Sequence, residues 1–238
     1  MRLKDLTINN MQEALEANPA NDRHNKRALR ALLNWCADRG KVKRFNFKLL
    51  ETMSQPKTKS EKDVWDFGQV QEVYTSLTFK NLYDIFIVLG IECGLRPQEI
   101  MGLTWDKIKE DHLVIDTAVE DRTPEEYNLG STKTKQSSRL AAITPYALDK
   151  LMIHRINQEI RISRTVGYDR EANLVVADSV GHVPDLRYIR KYMYRVAERA
   201  EVHRIPPKNL RSTYISLMAD LGIQMSLIQK QVGHEAGS

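Results

Sequence analysis

The segment Gly94-Leu95-Arg96-Pro97-Gln98-Glu99-Ile100 directly follows the nearly all-apolar run LYDIFIVLGIEC at 82–93. This run predicts a buried helix that ends at Gly94, and Pro97 suits the first turn of a new helix that continues through Thr104. Arg96 then stands beside the free N–H groups of a helix start, where a guanidinium and the helix dipole together favour an anion. The structural alternative is an i, i+3 ion pair with Glu99, and the two roles are compatible.

The composition excludes several classes of protein. Of 238 residues, 42% are hydrophobic and 28% charged, which argues against wholesale disorder, and the net charge of +5 permits a polyanionic partner without requiring one. Cys36 and Cys93 lie in apolar helical patterns and predict buried free thiols, which excludes a disulfide framework or a zinc finger. No apolar run reaches the ~18 residues of a membrane span, and the N-terminus lacks a signal peptide. A reducing cytosol is expected.

The chain is predicted to contain two domains. Residues 1–52 read as a partial helical domain, 53–64 as a polar linker, and 65–238 as a larger domain. The fold class expected is mostly α with a small antiparallel β-sheet (α+β), formed by strands at 112–119 and 139–143. A short apolar run at 174–177 is a candidate for one more strand. Helices are predicted at 66–77, 82–93, 97–104, 146–162, 185–200, 207–221 and 223–232.

Two stripes at helical spacing mark the helix in the first domain. The apolar stripe, predicted to face the core, contains Leu29, Leu32, Leu33 and Cys36. A neighbouring stripe is basic and predicts either a solvated surface or a face that contacts DNA phosphates. The DNA-binding candidates are the four cations of this stripe and two linker lysines: Arg23, Lys26, Arg27, Arg30, Lys57 and Lys59.

Three more short segments carry candidate chemistry. Lys133 lies in STKTK at the predicted tip of a β-hairpin, with Lys135 as the rival position. Lys208 and Arg211, three residues apart, leave one face of a helix. His234 follows Gly233 just beyond a helix end. Taken alone, each of these residues is more often structural or solvated.

In this order, the four segments resemble the catalytic domain of the tyrosine recombinases, the phage integrase family. The likeness runs from about residue 65 to the end, through GLRPQEI, KTK-x-x-x-R-x-x-x-I-T-P, LRSTY and VGH. The segment N-x-x-x-R-A-L-x-x-L-L-x-W-x-x-x-x-G, in the first 50 residues, is similar to the family's helical core-binding domain but less specific. The resemblance implies a catalytic set of Arg96, Lys133, Lys208, Arg211 and His234, with Glu99 as the supporting acid.

The resemblance also implies a mechanism. A site-specific recombinase or integrase cuts and rejoins DNA through a 3′-phosphotyrosyl intermediate, without a metal or cofactor. Arg96 and Arg211 would clamp the phosphate, and Lys133 would protonate the 5′-oxygen leaving group. Lys208 stands where histidine is commonest and is expected to act as an electrostatic ligand, while His234 orients the phosphate and assists proton transfer.

The sequence departs from the family pattern at its end. No tyrosine follows His234, and Tyr214, at a position usually filled by Phe, is expected to be a packing residue. The favoured expectation is a chain truncated before the nucleophile and unable to cleave DNA alone. The alternatives are an ordered region that stops before a mobile tail, or a natural nucleophile-less DNA-binding regulator. A purely protein-binding helical module would leave the four segments as coincidences.

The partner that the resemblance implies is double-stranded DNA carrying attachment or core sites. The intact enzyme is expected to act as a homotetramer on DNA, and this chain to be a monomer in solution. Accessory DNA-bending proteins are compatible with this assignment. The setting is the cytoplasm of a bacterial host cell, and the task is DNA integration or recombination for a viral genome or another mobile element.

Overall fold

The protein divides into two compact units, each with its own hydrophobic core. The units are Met1–Thr58 and Lys59–Ser238, so the division falls within the stretch predicted as a linker. The computed structural model describes residues 6–17, 22–51, 64–123, 126–131 and 138–233.

The N-terminal unit is helical. Helix α1 spans Ile8–Glu16, helix α2 spans Asp22–Asp38, and a single 3-10 turn covers Phe47–Leu49. The hydroxyl of Thr7 accepts the N–H of Asn10 and so caps the first turn of α1. The segment after α2 folds back to complete a small core of Met11, Leu15, Leu33, Phe47 and Leu50.

The apolar stripe predicted on α2 is only partly correct. Leu33 and Cys36 are buried and Leu29 is half-buried, but Leu32 is 55% exposed. Adjacent residues on a helix point about 100° apart, so a small core reaches Leu33 and leaves Leu32 outside. The prediction for Leu32 is therefore wrong, and it lies on the surface with Trp35, which is 53% exposed.

The larger unit is mostly helical with short antiparallel strands, as predicted. Its helices among the described residues are α3 (Phe67–Ser76), α4 (Asp84–Glu92), α5 (Pro97–Met101), α6 (Pro145–Ile162), α7 (Leu186–Arg199), α8 (Asn209–Asp220) and α9 (Met225–Val232). Its strands are β1 (His112–Ile115), β2 (Thr117–Thr123), β3 (Glu126–Ser131) and β4 (Arg139–Ala142).

Helix α4 is buried on all sides, which explains why it lacks an amphipathic pattern. Helix α5 stops at Met101 rather than at the predicted Thr104. The chain turns at Gly102, where a side chain would approach the backbone of Ala118 in β2 to 3.2 Å. Thr104 then bridges to Leu174. Tertiary contacts thus end α5 three residues before its predicted limit.

The strand prediction was correct about which segments pair but wrong in treating 112–119 as one continuous strand. Strand β1 pairs antiparallel with β4, with His112 opposite Ala142. The run predicted as one strand over 112–119 breaks at Asp116, and β2 pairs separately with β3. That hairpin connects Thr123 to Glu126, so its tip is not at Lys133. Lys133 and its rival, Lys135, come after β3 and lie outside the described residues.

The apolar run at 174–177 is buried but forms only an isolated bridge at Leu174. Side chains of α6 bind two of the carbonyl groups that a neighbouring strand would use. His154 Nε2 donates to the carbonyl of Val175 at 2.7 Å, and Gln158 Nε2 donates to that of Leu174 at 3.0 Å. The strand predicted there is therefore absent from the described fold.

Trp65 anchors the beginning of the larger unit against α8. Its side chain is fully buried, its N–H donates to Thr213 Oγ1 at 3.2 Å, and its indole Nε1 donates to the carbonyl of His203 at 2.8 Å. The two cysteines, Cys36 and Cys93, are buried and free, as the sequence predicted.

Candidate functional site

A buried carboxylate, that of Glu99, is the centre of the candidate site. Glu99 lies in the first turn of α5 and is 3% exposed. It accepts the N–H of Arg96 at 2.8 Å and Arg96 Nη1 at 2.7 Å. Burial alone would raise the pKa of Glu99, but hydrogen bonds and charge from Arg139, together with Arg96, lower it. The group is ionised and fixes the arginines around it.

Arg96 occupies the position that the sequence predicted for it, immediately before Pro97 at the start of α5. The ion pair with Glu99 expected from their spacing is present. The buried carboxylate of Glu99 holds the Arg96 side chain, which is nevertheless 39% exposed and open to solvent. Its Nη2 also donates to the carbonyl of Gly233 at 3.3 Å, which connects α5 to the end of α9.

Arg139, the first residue of β4, is a member of the cluster to which the sequence analysis assigned no role. Its Nη1 and Nη2 donate to the two carboxylate oxygens of Glu99, each at 2.9 Å, and its Nε donates to the carbonyl of Gln231 at 2.9 Å. The side chain is only 8% exposed. The available signal was its place as the fixed arginine in the motif KTK-x-x-x-R-x-x-x-I-T-P, which marked the position without indicating its partner.

Arg211 approaches the cluster from α8. It is 6% exposed, and its Nη1 donates to the carbonyl of Gly94 at 3.0 Å. Its Nη2 is buried and has no hydrogen-bond partner among the described residues. Burial, followed by the charge of Arg96, lowers the pKa of Arg211 to about 9; the charge of Glu99 opposes this, and Arg139 adds a still smaller lowering effect. Arginine keeps its proton at neutral pH, so Arg211 is a buried cation, and burial together with the neighbouring arginines disfavours its charge.

Helix α9 ends against the same cluster. Gly233 terminates it with a left-handed φ of +66°, and a side chain there would meet Arg139 Cδ at 3.0 Å. The Gln231 amide accepts the N–H of Ala142 at 2.9 Å and donates to the carbonyl of Ala142 at 3.0 Å, so α9 is bound to β4. His234 follows directly and lies outside the described residues.

The cluster has the electrostatics of an anion site. Arg96, Arg139 and Arg211 with the single carboxylate of Glu99 give a net charge of +2. The bidentate pair of Arg139 and Glu99 is self-compensating, so the uncompensated charge falls on Arg96 and Arg211. One of these groups is open to solvent and the other has an unused donor, which suits two oxygens of a phosphate.

Lys208, the remaining member of the predicted catalytic set in the described part, lies at the N-cap of α8. It is exposed, and its side chain makes no capping hydrogen bond. The prediction that it shares one helix face with Arg211 is only approximate, because Lys208 precedes the first helical residue, Asn209, and Arg211 is buried.

A second basic feature, a groove, lies in the N-terminal unit. Its volume is about 780 Å³, which is enough for several phosphate groups. Its lining includes Lys26, Arg27 and Arg30, three of the four stripe cations predicted on α2. Lys26 Nζ is partly engaged, because it donates to the carbonyl of Leu50. The side chain of Arg23, and the linker lysines 57 and 59, lie outside the described parts.

The opposite wall of this basic groove was not predicted. It comes from the segment after α2, where Arg44, Asn46 and Lys48 alternate with Phe45 and Phe47 along the chain, and all five line the groove. These cations are not on the periodic helix, so only the fold brings them opposite α2. Five cations then line one groove, which is a stronger electrostatic feature than a single helix face.

Metal clusters and membrane-spanning helices are both absent from the described residues. No group of three or more His, Cys, Asp or Glu side chains is arranged to hold a metal ion within those ranges. No helix in the same part of the chain has the length and apolar character needed to cross a membrane.

The larger unit is thus a mostly helical domain in which three arginines surround one buried glutamate. Residues 69–238 match the phage integrase family, and the chain belongs to that family. It is 24% identical over 180 residues to an integrase of Streptomyces ambofaciens, covering 71% of this chain and 45% of the relative. It is 22% identical over 223 residues to a tyrosine recombinase XerC-like protein of Caldanaerobacter subterraneus subsp. tengcongensis, covering 87% of this chain and 57% of the relative. The chain thus spans about half the length of these curated relatives.

Solved structures of similar fold are also recombinases. The Tn1549 transposon integrase in complex with a circular intermediate DNA has a TM-score of 0.74 at 14% identity, covering 98% of this chain and 79% of that chain. The XerH site-specific recombinase bound to a palindromic difH substrate has a TM-score of 0.73 at 14% identity, covering 98% and 67%. At this identity the likeness shows the fold alone.

Proposed function

We propose that this chain is the DNA-binding and phosphate-binding part of a site-specific DNA recombinase. The observation that carries the proposal is the arrangement of Arg96 and Arg211, which share uncompensated positive charge beside the buried Glu99. Membership of the phage integrase family and the fold shared with DNA-bound recombinases support the same activity.

In this proposal the reaction is phosphoryl transfer. A tyrosine hydroxyl attacks the scissile phosphorus, a 3′-phosphotyrosyl bond forms, and the bond to the 5′-oxygen breaks. Arg96 and Arg211 bind the non-bridging oxygens and stabilise the charge of the pentavalent transition state. Lys133 supplies the proton that the 5′-oxygen takes up as it leaves. The liberated hydroxyl of a partner strand later attacks the phosphotyrosine and restores a phosphodiester.

The other predicted residues have supporting roles. Lys208, exposed at the start of α8, contributes charge near the phosphate. His234 would orient the phosphate and assist the proton transfer at the nucleophile; its neighbour Gly233 is bound to Arg96, which supports this assignment. The tyrosine nucleophile is not identified in this sequence. Tyr214, in the segment LRSTY, is buried against Ile228 and Val232. That burial agrees with the packing role predicted for it.

The DNA partner is a duplex bound by both units. The basic groove binds phosphates of the duplex backbone through Arg27, Arg30, Arg44 and Lys48. We further propose residues 1–52 as a core-binding domain, 53–64 as a linker and 65–238 as the catalytic domain. The active assembly is proposed to be a homotetramer on DNA, in the cytoplasm of a bacterial host, with accessory DNA-bending proteins as further partners.

Duplex binding by the 238-residue chain tests this function. We expect binding at moderate salt, with Arg211→Ala retaining most of the affinity because many other phosphate contacts remain. The matched control is Arg170→Ala, which removes an exposed arginine that is paired with Glu159 at 3.7 Å. Failure of the wild-type chain to bind duplex DNA would contradict the proposal and favour a protein-binding module.

A further inference from the structure

Arg139 differs from Arg96 and Arg211 because each of its three guanidinium nitrogens already donates to a protein acceptor, whereas Arg211 Nη2 has no partner among the described residues. Its guanidinium binds both oxygens of Glu99 and the carbonyl of Gln231, and it is 8% exposed. All three hydrogen-bonding nitrogens are therefore directed at protein acceptors. A phosphate that reached Arg96 would not touch this side chain, so any effect of Arg139 on the reaction acts through its neighbours.

The first of these neighbours is Glu99, whose charge lies between the arginines. If Arg139 did not neutralise Glu99, that carboxylate would neutralise Arg96 through their 2.7 Å ion pair. The cluster of Arg96, Arg211 and Glu99 alone would carry +1 instead of +2. Because the groups are buried or half-buried, this difference is weakly screened by solvent. The presence of Arg139 thus determines how much positive charge a bound phosphate meets.

The second neighbour is the end of α9. Arg139 Nε holds the carbonyl of Gln231, two residues before Gly233, whose own carbonyl accepts from Arg96. Gly233 also packs so closely that a side chain there would meet Arg139 Cδ at 3.0 Å. Arg139 therefore fixes α5, β4 and α9 relative to one another through a single rigid group.

We propose that Arg139 is a positioning residue that neutralises Glu99 so that Arg96 and Arg211 retain their charge for a phosphate, and that it also fixes the end of α9. This inference rests on the proposed phosphate site. Arg139 belongs to the motif KTK-x-x-x-R-x-x-x-I-T-P but is not in the catalytic set that the resemblance implies, and the inference gives it no contact with the reacting atoms.

The test is a titration of the 238-residue chain with inorganic phosphate, followed by the NMR signals of the arginine Nε–H groups, well below the unfolding temperature. We expect saturable shifts at Arg96 and Arg211, and a Kd about tenfold higher in Arg139→Met. Adding Glu99→Gln to that variant restores the net charge of +2, and the Kd should return to within about threefold of wild type. Arg170→Met is the charge-matched control and should leave the Kd unchanged.

A purely structural role would lower the unfolding temperature of Arg139→Met and leave the phosphate Kd of the folded molecules unchanged. That result, no recovery in the double variant, or no phosphate binding by the wild-type chain would each overturn the inference. Failure of the proposed function is a separate result. If the chain binds phosphate as described but does not bind duplex DNA, the role of Arg139 still stands and the recombinase assignment is contradicted.

Discussion

Arg211 Nη1 donates a 3.0 Å hydrogen bond to the carbonyl oxygen of Gly94, two residues before Arg96. The turn that ends α4 therefore supports both arginines of the proposed phosphate site. Gly94 has a φ of +64°, and a side chain at this position would lie 2.5 Å from Tyr214 Cδ1. The geometry of the site depends on a residue that has no side chain.

Gly94→Ala should destabilise the chain strongly. The positive φ costs an alanine about 1–2 kcal/mol, and forced overlap with Tyr214 in a packed core costs about 1–3 kcal/mol more. Urea unfolding measures the sum. Gly222→Ala is the matched control, because Gly222 has a φ of +75° with open space around it, and it should show the smaller penalty only. Equal losses in the two variants would show that the contact with Tyr214 carries no energy.

Arg139→Met should lower the free energy of unfolding by about 3–5 kcal/mol, because it leaves the buried carboxylate of Glu99 short of a partner. The double variant Arg139→Met/Glu99→Gln removes the buried charge pair and should recover most of that loss. Denaturant unfolding of the two single variants and the double variant gives the coupling free energy. Additive effects would contradict the strong coupling inferred from the two 2.9 Å hydrogen bonds.

His154 should give the protein an acid-sensitive stability. Burial, against a smaller opposing effect of its bond to the Val175 carbonyl, lowers the pKa of His154 from 6.5 to about 4. As pH falls, the unfolded chain takes up this proton first, so the stabilisation is complete above pH 6.5 and is lost as pH falls to about 4. Over this pH range the free energy of unfolding should fall by about 3 kcal/mol because of His154.

Urea unfolding across that pH range, with His154→Gln beside wild type, measures this contribution. The variant should lack this part of the pH dependence, since glutamine does not titrate, while His24→Gln at an exposed position should retain it. Identical pH profiles for His154→Gln and wild type would remove His154 as the cause.

The basic groove should control the salt dependence of DNA binding. Replacing Arg30, Arg44 and Lys48 with Gln should reduce the slope of log K against log salt by ~0.9 for each phosphate that the groove no longer binds. A control with the same change in net charge replaces Arg39, Lys41 and Lys43, exposed residues outside the groove lining. Equal slopes for the two triple variants would place the DNA elsewhere.

The features that could be predicted from the sequence are those that local sequence patterns determine. The apolar run before Gly94 predicted α4, and the i, i+3 spacing predicted the ion pair of Arg96 and Glu99. Strand character at 112–119 and 139–143 predicted an antiparallel pair, and the structure forms that pair between His112–Ile115 and Arg139–Ala142. Each of these features depends on residues close together in the chain, or on two short strands with a clear apolar pattern.

Features that depend on tertiary contacts were missed. Leu32 has the right spacing for the core of α2, but the small unit does not cover it. The run at 174–177 has strand composition, but side chains of α6 bind its carbonyls. Arg139 reaches Glu99 only because β4 lies beside α5 and α9, which no local pattern records. The fold class was therefore predictable, while the full arginine cluster was not.

The most direct test of the central claim is covalent trapping. The natural full-length protein is mixed with nicked duplex DNA carrying its own core site, and adducts that resist denaturant are measured. We predict an adduct that disappears in Arg96→Ala and in Arg211→Ala but persists in Arg170→Ala. Duplex binding without any adduct would indicate a DNA-binding regulator, and an adduct formed equally well by Arg211→Ala would contradict the proposed phosphate site.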